Sequence, residues 1–330
     1  MQPFTAASGL GNPHLQTLLP RFIRRQPLFA PVTQRLEIPD GDFVDLAWTE
    51  QPDINNHHQP IMILFHGLEG SFNSPYANGL LMAAKQQGWL GVMMHFRGCS
   101  GELNRHPQSY HSGDINDVQF FIQWLRQQFP QRPFMAVGVS LGGNVLINYL
   151  ANCPNNNELI AAQAISPPLN LASCSDRIQQ GFSRVYQRYL LTSLKRTIAK
   201  KIERHPHTMP VNQHQLTTIS SVRQFDQAVT APLHGFKSAN DYYQHCSGLS
   251  QLTKITLPLR IIHAKDDPFM NNDVIPSQPL PINIDYHLST TGGHVGFISG
   301  SLLKPQFWLE HTVPEWFQRQ LRLHQSQQLK

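Results

Sequence analysis

The sequence predicts an α/β fold, with a mostly parallel central sheet that carries helices on both faces. Two observations predict it. Short, continuously apolar runs of strand length alternate along the chain with segments whose apolar residues recur every three to four positions, as in strands buried on both faces and in amphipathic helices. One such run, 134–139, leads through Ser140, which has a glycine two residues away on each side, directly into an apolar-periodic helix. Strands that are separated by helices favour a parallel sheet.

Each element is predicted from its local pattern, in chain order. Residues 11–17 can start a short helix, and the turn signal 39–42 between two short apolar runs favours a hairpin. Residues 114–117 are expected to cap the helix that follows them. The predicted strands are 34–38, 43–48, 61–65, 90–96, the run that ends at 139, 159–165, 259–264 and 282–288. The predicted helices after the first are 76–87, 116–125, the one after Ser140, and a last one from 314 through 321.

The order of these elements predicts a domain organisation. Residues 1–33, rich in Pro and Arg, are expected to form an N-terminal arm, and 34–165 together with 258–330 the α/β core. The regular alternation of strands and helices ends after the sixth strand, so 166–257 is predicted to be an inserted helical cap, or lid. For a chain of 330 residues, one domain with an insertion and two domains fit equally well.

The first long helix of the predicted cap combines apolar and basic residues. Between Arg177 and Arg204 there are eight Lys or Arg residues against one Glu. We expect a cap that packs its apolar side on the sheet and leaves a solvated basic side. The alternative is a lid that contacts anionic lipid or substrate. The apolar residues at helical spacing are Phe182, Val185, Tyr189, Leu190, Leu194, Ile198 and Ile202.

Composition argues against several other classes of protein. The formal charge of +5 is mostly dispersed, and without a known module or interleaved base-stacking aromatics it predicts no nucleic-acid binding. No apolar stretch of membrane-spanning length and no signal-peptide pattern occurs, so a cytoplasmic location is expected. No metal-ligand spacing occurs, and no metal or cofactor is predicted. The cysteines form neither a disulfide framework nor a zinc motif; they are Cys99, Cys153, Cys174 and Cys246.

The stretch 134–147 is the strongest chemical signal. Gly138-Val139-Ser140-Leu141-Gly142 lies between a predicted strand and a predicted helix. This is the setting in which a serine is held in a strained turn as a nucleophile, with glycines where a Cβ would clash. Because a serine hydroxyl attacks poorly until a base takes its proton, and that base needs an orienting carboxylate, the pattern predicts two partners later in the chain.

The partners are expected after late strands of the sheet, in the order acid and then base. Asp266 and Asp267 follow strand 259–264; Pro268 favours extended geometry for Asp267, so Asp267 is the predicted acid and Asp266 is expected to serve the turn. His294 lies in the glycine-rich loop 290–296 and is the predicted base.

An acyl-transfer site also needs two N–H donors for the developing oxyanion. The residue after the nucleophile, Leu141, supplies one backbone N–H. The second is predicted at Leu68, in the glycine-containing segment 66–70 that directly follows strand 61–65. His66 is expected to have a structural role in fixing that loop.

These residues together resemble the α/β-hydrolase superfamily, and more narrowly the YheT-like group, the AB hydrolase 4 family. The resemblance implies an α/β-hydrolase fold in which Ser140, Asp267 and His294 are the charge-relay residues of an esterase. The sequence departs from many superfamily members at Ala264, where they have glycine. The motifs that carry the resemblance are His14-Leu15-Gln16-Thr17, His66-Gly67-Leu68-Glu69-Gly70, Phe96-Arg97-Gly98-Cys99-Ser100-Gly101, Gly138-Val139-Ser140-Leu141-Gly142-Gly143-Asn144, Gln224-Phe225-Asp226, Tyr242-Tyr243, Asp266-Asp267-Pro268-Phe269 and Gly293-His294-Val295-Gly296.

The leading hypothesis is therefore a serine hydrolase that cleaves a small-molecule or lipid-like carboxylic ester through an acyl-enzyme, with no cofactor. An acyltransferase or thioesterase would use the same acyl-enzyme, and a non-catalytic protein that binds lipid or a partner is the alternative from another class. The sequence leaves open the substrate, its acyl chain length, the acyl acceptor, any motion of the cap and the oligomeric state. The cap residues that would line an apolar acyl pocket, or form the core of the cap, are Phe182, Tyr186, Tyr189, Phe236 and Tyr242.

Overall fold

A central sheet organises the structure, a computed structural model that describes residues 3–153 and 158–328. Within these residues, eight strands pair in the order β1-β2-β4-β3-β5-β6-β7-β8, and a short hairpin of β9 and β10 forms a second sheet. The strands are β1 (Val32–Glu37), β2 (Phe43–Trp48), β3 (Ile61–Phe65), β4 (Leu90–Met94), β5 (Phe134–Val139), β6 (Leu159–Ile165), β7 (Leu259–Ala264), β8 (Ile284–Ser289), β9 (Ile298–Gly300) and β10 (Pro305–Phe307).

The sheet is mostly parallel, which confirms the predicted fold class. The pairs from β4 through β8 are parallel, while β1 and β2 form an antiparallel hairpin at one edge. Every residue of β3, β4 and β5 is buried. Because neighbouring side chains of a strand point to opposite faces, a fully apolar strand fits only between two covering layers.

Helices supply those layers. Ile61 and Ile63 of β3 pack with α3 and α4 in one core, and Met62 and Leu64 pack with α2 and α11 in the core on the opposite face. No helix in the described ranges is both long and apolar enough to cross a membrane. The helices are α1 (Pro13–Ile23), α2 (Pro75–Gln86), α3 (Asn116–Gln128), α4 (Leu141–Asn152), α5 (Leu171–Arg177), α6 (Ser183–Arg204), α7 (Gln213–Thr218), α8 (Val222–Phe225), α9 (Ala231–Leu233), α10 (Ala239–Cys246) and α11 (Trp308–Gln328).

Between β6 and β7 the chain is helical and has small apolar clusters of its own. One cluster joins α6 to α7 and α8 through Leu191, Ile198, Leu216 and Phe225. A second joins α5 to α10. A π-helical turn, Asp226–Thr230, connects α8 to α9, and single π turns are frequent at functional sites. The division of the chain into arm, core and cap stays a prediction.

Three details of the prediction are wrong. The last helix begins at Trp308 rather than at Pro314; proline is favoured in a first helical turn, but the apolar face continues upstream of it. The N-cap of α3 is Ile115, whose side chain forms no cap, and of residues 114–117 Asp114 only accepts the N–H of Asn116 at 3.4 Å. The helix 183–204 does not bury its whole apolar stripe, because Phe182, Val185 and Tyr189 are 50%, 53% and 54% exposed.

Asp117 pairs with Arg97 instead of capping α3. The Arg97 guanidinium donates from Nε and Nη2 to the two carboxylate oxygens of Asp117, at 2.7 Å each, and from Nη1 to Asp40 at 2.8 Å. The Arg97 and Asp117 side chains are only 10% and 9% exposed. This ion pair connects the loop after β4 to α3 and to the turn of the β1–β2 hairpin.

Substitution of Asp117 by asparagine is expected to destabilise the fold. Asp117→Asn removes the bidentate charged partner of Arg97 but leaves its contacts with Asp40 and Asp42, so it should lower the free energy of unfolding by about 2 kcal/mol. Urea denaturation followed by circular dichroism measures this change. The matched control is Glu102→Gln, because Glu102 pairs with Arg35 but is 60% exposed; it should change stability by less than about 1 kcal/mol. Equal effects of the two substitutions would show that the buried pair does not stabilise the fold.

Candidate active site

Ser140 lies at the end of β5, in a strained turn between strand and helix. Its φ of 53° and ψ of −121° are unfavourable for a residue with a Cβ and cost on the order of 1–3 kcal/mol. Its N–H donates to the carbonyl of Ile165 at 2.8 Å, and α4 begins at the next residue. The turn is very close to its neighbours: a Cβ on Gly138 would lie 2.4 Å from the Gly142 carbonyl oxygen, and one on Gly142 would lie 2.4 Å from that of Phe65.

The structure brings Ser140, His294 and Asp267 together, although more than one hundred residues separate the serine from the other two. His294 Nε2 lies 2.9 Å from Ser140 Oγ, and His294 Nδ1 lies 2.8 Å from Asp267 Oδ2. An ionised carboxylate only accepts hydrogen bonds, so Asp267 favours the tautomer with the proton on Nδ1. That tautomer leaves Nε2 free to accept the Ser140 hydroxyl proton.

Asp266 and Asp267 have different partners. Asp267 is 3% exposed, and its second carboxylate oxygen accepts the N–H of Phe269 at 2.8 Å. Asp266 accepts the N–H of Gly293 at 3.0 Å, while the imidazole nitrogen Nδ1 contacts Asp267. Burial raises the pKa of Asp266. The geometry therefore places Asp267, rather than Asp266, where it can orient His294.

Helix α1 holds the loop that carries His294. Thr17 Oγ1 accepts the backbone N–H of His294 at 2.9 Å and donates to the Pro13 carbonyl at 2.7 Å. Gln16 is fully buried; its amide oxygen accepts the N–H of Ile298 at 2.7 Å and its amide nitrogen donates to the Ile298 carbonyl at 3.0 Å. Sequence reasoning missed these roles, because the motif 14–17 indicated a family without naming its contacts.

A ring stack also fixes the imidazole. The Phe269 ring lies over the His294 ring with centroids 4.0 Å apart and planes 19° from parallel, and Tyr186 of α6 stacks on the other side of Phe269 at 5.0 Å. Hence the orientation of His294 depends on α1, on the loop after β7 and on α6. No sequence pattern predicts this stack, apart from the position of Phe269 two residues after the predicted acid.

Two backbone amides are available opposite Ser140. Among the described residues, the N–H groups of Leu68 and Leu141 have no protein acceptor, whereas their neighbours Gly67 and Glu69 donate to Tyr76 and Tyr110 hydroxyls at 2.8 and 2.7 Å. Leu68 and Leu141 line the same cavity as Ser140 and His294. The Leu141 amide is also at the N-terminus of α4, where the helix dipole favours negative charge.

His66 and Glu69 hold the loop that contains Leu68. His66 is buried; its Nδ1 lies 2.7 Å from the Gly67 carbonyl and its Nε2 accepts the Phe96 N–H at 3.0 Å. Burial lowers its pKa to about 3, so the ring is neutral, in agreement with a structural role. Glu69, which the sequence did not single out as a site residue, has a φ of 52°, and its carboxylate accepts the hydroxyls of Tyr110 and Ser193 at 3.0 and 2.9 Å.

The cavity next to Ser140 has a volume of about 330 Å³. It lies between the carboxyl ends of the sheet strands and the helices that follow β6. Burial lowers the pKa of His111 to about 3 and that of His234 to about 4, and raises the pKa of Asp226 to about 6. Both imidazoles are therefore neutral near pH 7. Much of the remaining wall is apolar, including Leu171, Ile178, Leu190, Leu194, Ile198, Val229 and Leu233.

No group of three or more His, Cys, Asp or Glu side chains suited to a metal ion occurs in the part of the chain that the structure describes. His111 and His234 lie with ring centroids 4.5 Å apart but belong to no such group.

Comparison with known proteins gives the same fold. Residues 60–300 match the family described as alpha/beta hydrolase fold. "Putative esterase YheT" of Escherichia coli (strain K12) is 52% identical over 314 residues, which cover 95% of this chain and 92% of that protein. "Phospholipase ABHD3" of Mus musculus is 28% identical over 92% of this chain and 75% of that protein. "Monoacylglycerol lipase" of Saccharomyces cerevisiae is 29% identical over 75% of this chain and 57% of that protein.

A solved structure agrees at the level of fold. The Pyrococcus furiosus esterase Pf2001 superimposes with a TM-score of 0.54 at 15% identity, over 98% of this chain and 96% of that one. The family match extends over more than two thirds of the chain, and the Escherichia coli relative over nearly all of it. The chain belongs to the α/β-hydrolase family.

Proposed function

We propose that this protein is a serine hydrolase that cleaves carboxylic esters through an acyl-enzyme. The observation that carries the proposal is the bridging position of His294, whose two ring nitrogens lie 2.9 Å from Ser140 Oγ and 2.8 Å from Asp267 Oδ2. A strained turn that exposes the serine supports it, as does the pair of free amides at Leu68 and Leu141. The relatives named as an esterase, a phospholipase and a monoacylglycerol lipase support an ester as the substrate.

The chemistry follows from these positions. The Ser140 hydroxyl gives its proton to His294 Nε2 as Oγ attacks the ester carbonyl carbon, and Asp267 stabilises the imidazolium that forms. The carbonyl oxygen becomes an oxyanion that accepts hydrogen bonds from the Leu68 and Leu141 amides. As the tetrahedral intermediate collapses, His294 donates the proton to the departing alcohol oxygen, which leaves an acyl group on Ser140. Water, deprotonated by the same imidazole, then releases the acid and restores the hydroxyl.

The cavity favours an ester with an apolar acyl group. Its volume and largely apolar wall are those of a pocket that takes up a small organic or lipid-like molecule. On this proposal residues 166–257 act as a cap that shapes the pocket, over a core formed by 34–165 and 258–330. No cofactor takes part in the proposed steps.

Loss of the nucleophile should abolish activity. Ser140→Ala is expected to lower kcat for a nitrophenyl ester by at least about four orders of magnitude, and to remove the initial burst of nitrophenol that an accumulating acyl-enzyme produces. Stopped-flow absorbance measures both quantities, and circular dichroism checks that the variant is folded. A variant as active as the parent would overturn the assignment of Ser140.

The two neighbouring aspartates should differ in effect. Asp267→Asn is expected to lower kcat by about 10⁴, because the amide no longer favours the productive tautomer of His294. Asp266→Asn is the matched control and should lower kcat by less than about tenfold, since its loss leaves the imidazole contact intact. Steady-state kinetics on the same ester compares the two variants; a larger effect of Asp266→Asn would reverse the assignment of the acid.

Thr17 should act as a positioning residue for His294. Thr17→Val keeps the shape of the side chain but removes the acceptor for the His294 N–H, and is expected to lower kcat about tenfold or more with little change in KM, because a small displacement of the base is costly. Thr17→Ser keeps the hydroxyl and should restore most of kcat. Activity that Thr17→Val keeps and Thr17→Ser loses would show that packing of the methyl group, rather than the hydrogen bond, positions His294.

A further inference from the structure

An exposed apolar surface runs along α1 and the start of α6. Five large side chains form it, and we call them the apolar rim: Leu15, Phe22, Phe182, Val185 and Tyr189, which are 47%, 63%, 50%, 53% and 54% exposed. Single exposed apolar residues are ordinary, but a cluster of them on two adjacent helices indicates a surface that contacts something apolar.

Direct contacts show that the two helices lie side by side. The His14 ring lies 4.4 Å from the Phe182 ring, between centroids, and its Nδ1 is 3.0 Å from the Tyr186 hydroxyl. Seven residues further along α1, Arg21 donates to the Tyr189 hydroxyl at 2.7 Å. Leu15 and Phe22 are seven residues apart on one face of α1, about 100° round the helix from the face of His14 and Arg21 that meets α6, so they border the exposed side chains of α6.

Positive charge surrounds the apolar rim. Arg184, Arg188, Arg196 and Lys200 of α6 are exposed, and none has a carboxylate within salt-bridge distance in residues 3–153 and 158–328. The only acidic residue of α6 is Glu203, near its C-terminal end. An apolar strip beside unpaired Arg and Lys side chains is the arrangement found in helices that lie on anionic membranes.

The apolar rim also lies at the entrance of the cavity. Arg21 and Tyr189 are exposed, and both belong to the cavity wall together with Thr17, Leu18, Tyr186 and Leu190. The cavity that contains Ser140 therefore reaches the surface between α1 and α6, inside the area that the apolar rim and the basic residues define.

We propose that this surface docks the protein on an anionic phospholipid bilayer. The rim residues would enter the boundary between headgroups and acyl chains, and the four basic side chains would contact lipid phosphates. A bilayer supplies negative charge and apolar volume at once. A second copy of this chain fits less well, because a twofold contact through the same patch would bring like charges together. The inference rests on the proposed function in one respect: an ester held in the bilayer would enter the cavity directly, without passing through water.

Vesicle binding tests the proposal directly. The probe is unilamellar vesicles of equal parts phosphatidylglycerol and phosphatidylcholine, with pure phosphatidylcholine vesicles for comparison. The protein is the full chain with Ser140→Ala, so that any hydrolysis of the lipid is absent. Co-sedimentation should show binding to the anionic vesicles, at least about tenfold weaker binding to the neutral ones, and weakening of the former as salt screens the charges.

Matched double variants locate the surface. Arg184→Glu with Arg188→Glu should weaken binding to anionic vesicles by at least about tenfold, whereas Arg319→Glu with Arg322→Glu should not. Arg319 and Arg322 are also exposed. They follow Trp316 in α11, and the Trp316 ring contacts Arg260 at the start of β7. This is the end of the sheet opposite the cavity.

A second pair of double variants tests the apolar rim. Phe22→Ser with Val185→Ser should weaken binding about tenfold or more through lost burial of apolar surface. Ile54→Ser with Ile282→Ser is the control, since these side chains are 59% and 106% exposed and precede β3 and β8, at the amino ends of the parallel strands, whereas Ser140 follows the carboxyl end of β5. The control should bind as the parent does.

Three results would overturn the proposal: no binding to anionic vesicles, binding that the control variants reduce as much as the rim variants do, or a dimer by light scattering that Phe22→Ser with Val185→Ser converts to a monomer. Hydrolysis of a short, dissolved ester by the protein with Ser140 intact separates the two proposals. Activity without vesicle binding would contradict only the proposal of a docking surface. Vesicle binding without activity would contradict only the proposed function.

Discussion

The close approach of backbone around Ser140 is the constraint on which the site depends. Only glycine fits at positions 138 and 142, where a Cβ would lie 2.4 Å from a carbonyl oxygen. Parallel pairing of β3 with β5 places Phe65 beside Gly138, so the loop after β3 must emerge next to the turn. As a result, Leu68 and Leu141, whose amides have no protein acceptor among the described residues, line the same cavity as Ser140. The strain at Ser140 is offset by its hydrogen bond to Ile165 in the neighbouring strand β6.

The opposite half of the site is held from outside the sheet. His294 lies in the loop after β8, an edge strand of the sheet. Strand pairing alone does not hold this loop in place. Helix α1 provides that help through Thr17 and the buried amide of Gln16, and Phe269 packs against the imidazole face. The same helix contributes to the apolar rim, so the orientation of His294 and the surface around the cavity entrance depend on one segment.

Much of the fold and of the candidate site could be predicted from the sequence, where a local pattern has one physical meaning. The run 61–65 is a strand because continuous apolar residues between polar loops fit only a strand covered on both faces. Ser140, Asp267 and His294 could be named together because their order along the chain reflects the order of strands in the sheet. Periodicity was not enough for the helix 183–204: it identifies an apolar face, but whether that face meets protein or solvent depends on how segments distant in sequence, such as α1, pack against it. Thr17 and Glu69 were missed for a related reason, since their partners are far away in sequence.

Covalent labelling of the folded protein tests the proposed nucleophile most directly. A fluorophosphonate probe forms a bond between Ser140 Oγ and phosphorus, with loss of fluoride, only where a base activates the serine and amides stabilise the charged oxygen. Peptide mass spectrometry should find the label on Ser140 in the parent protein, with a much slower reaction in Asp267→Asn. Label on another serine, or a folded protein in which Ser140 stays unmodified while a known serine hydrolase in the same tube reacts, would contradict the assignment.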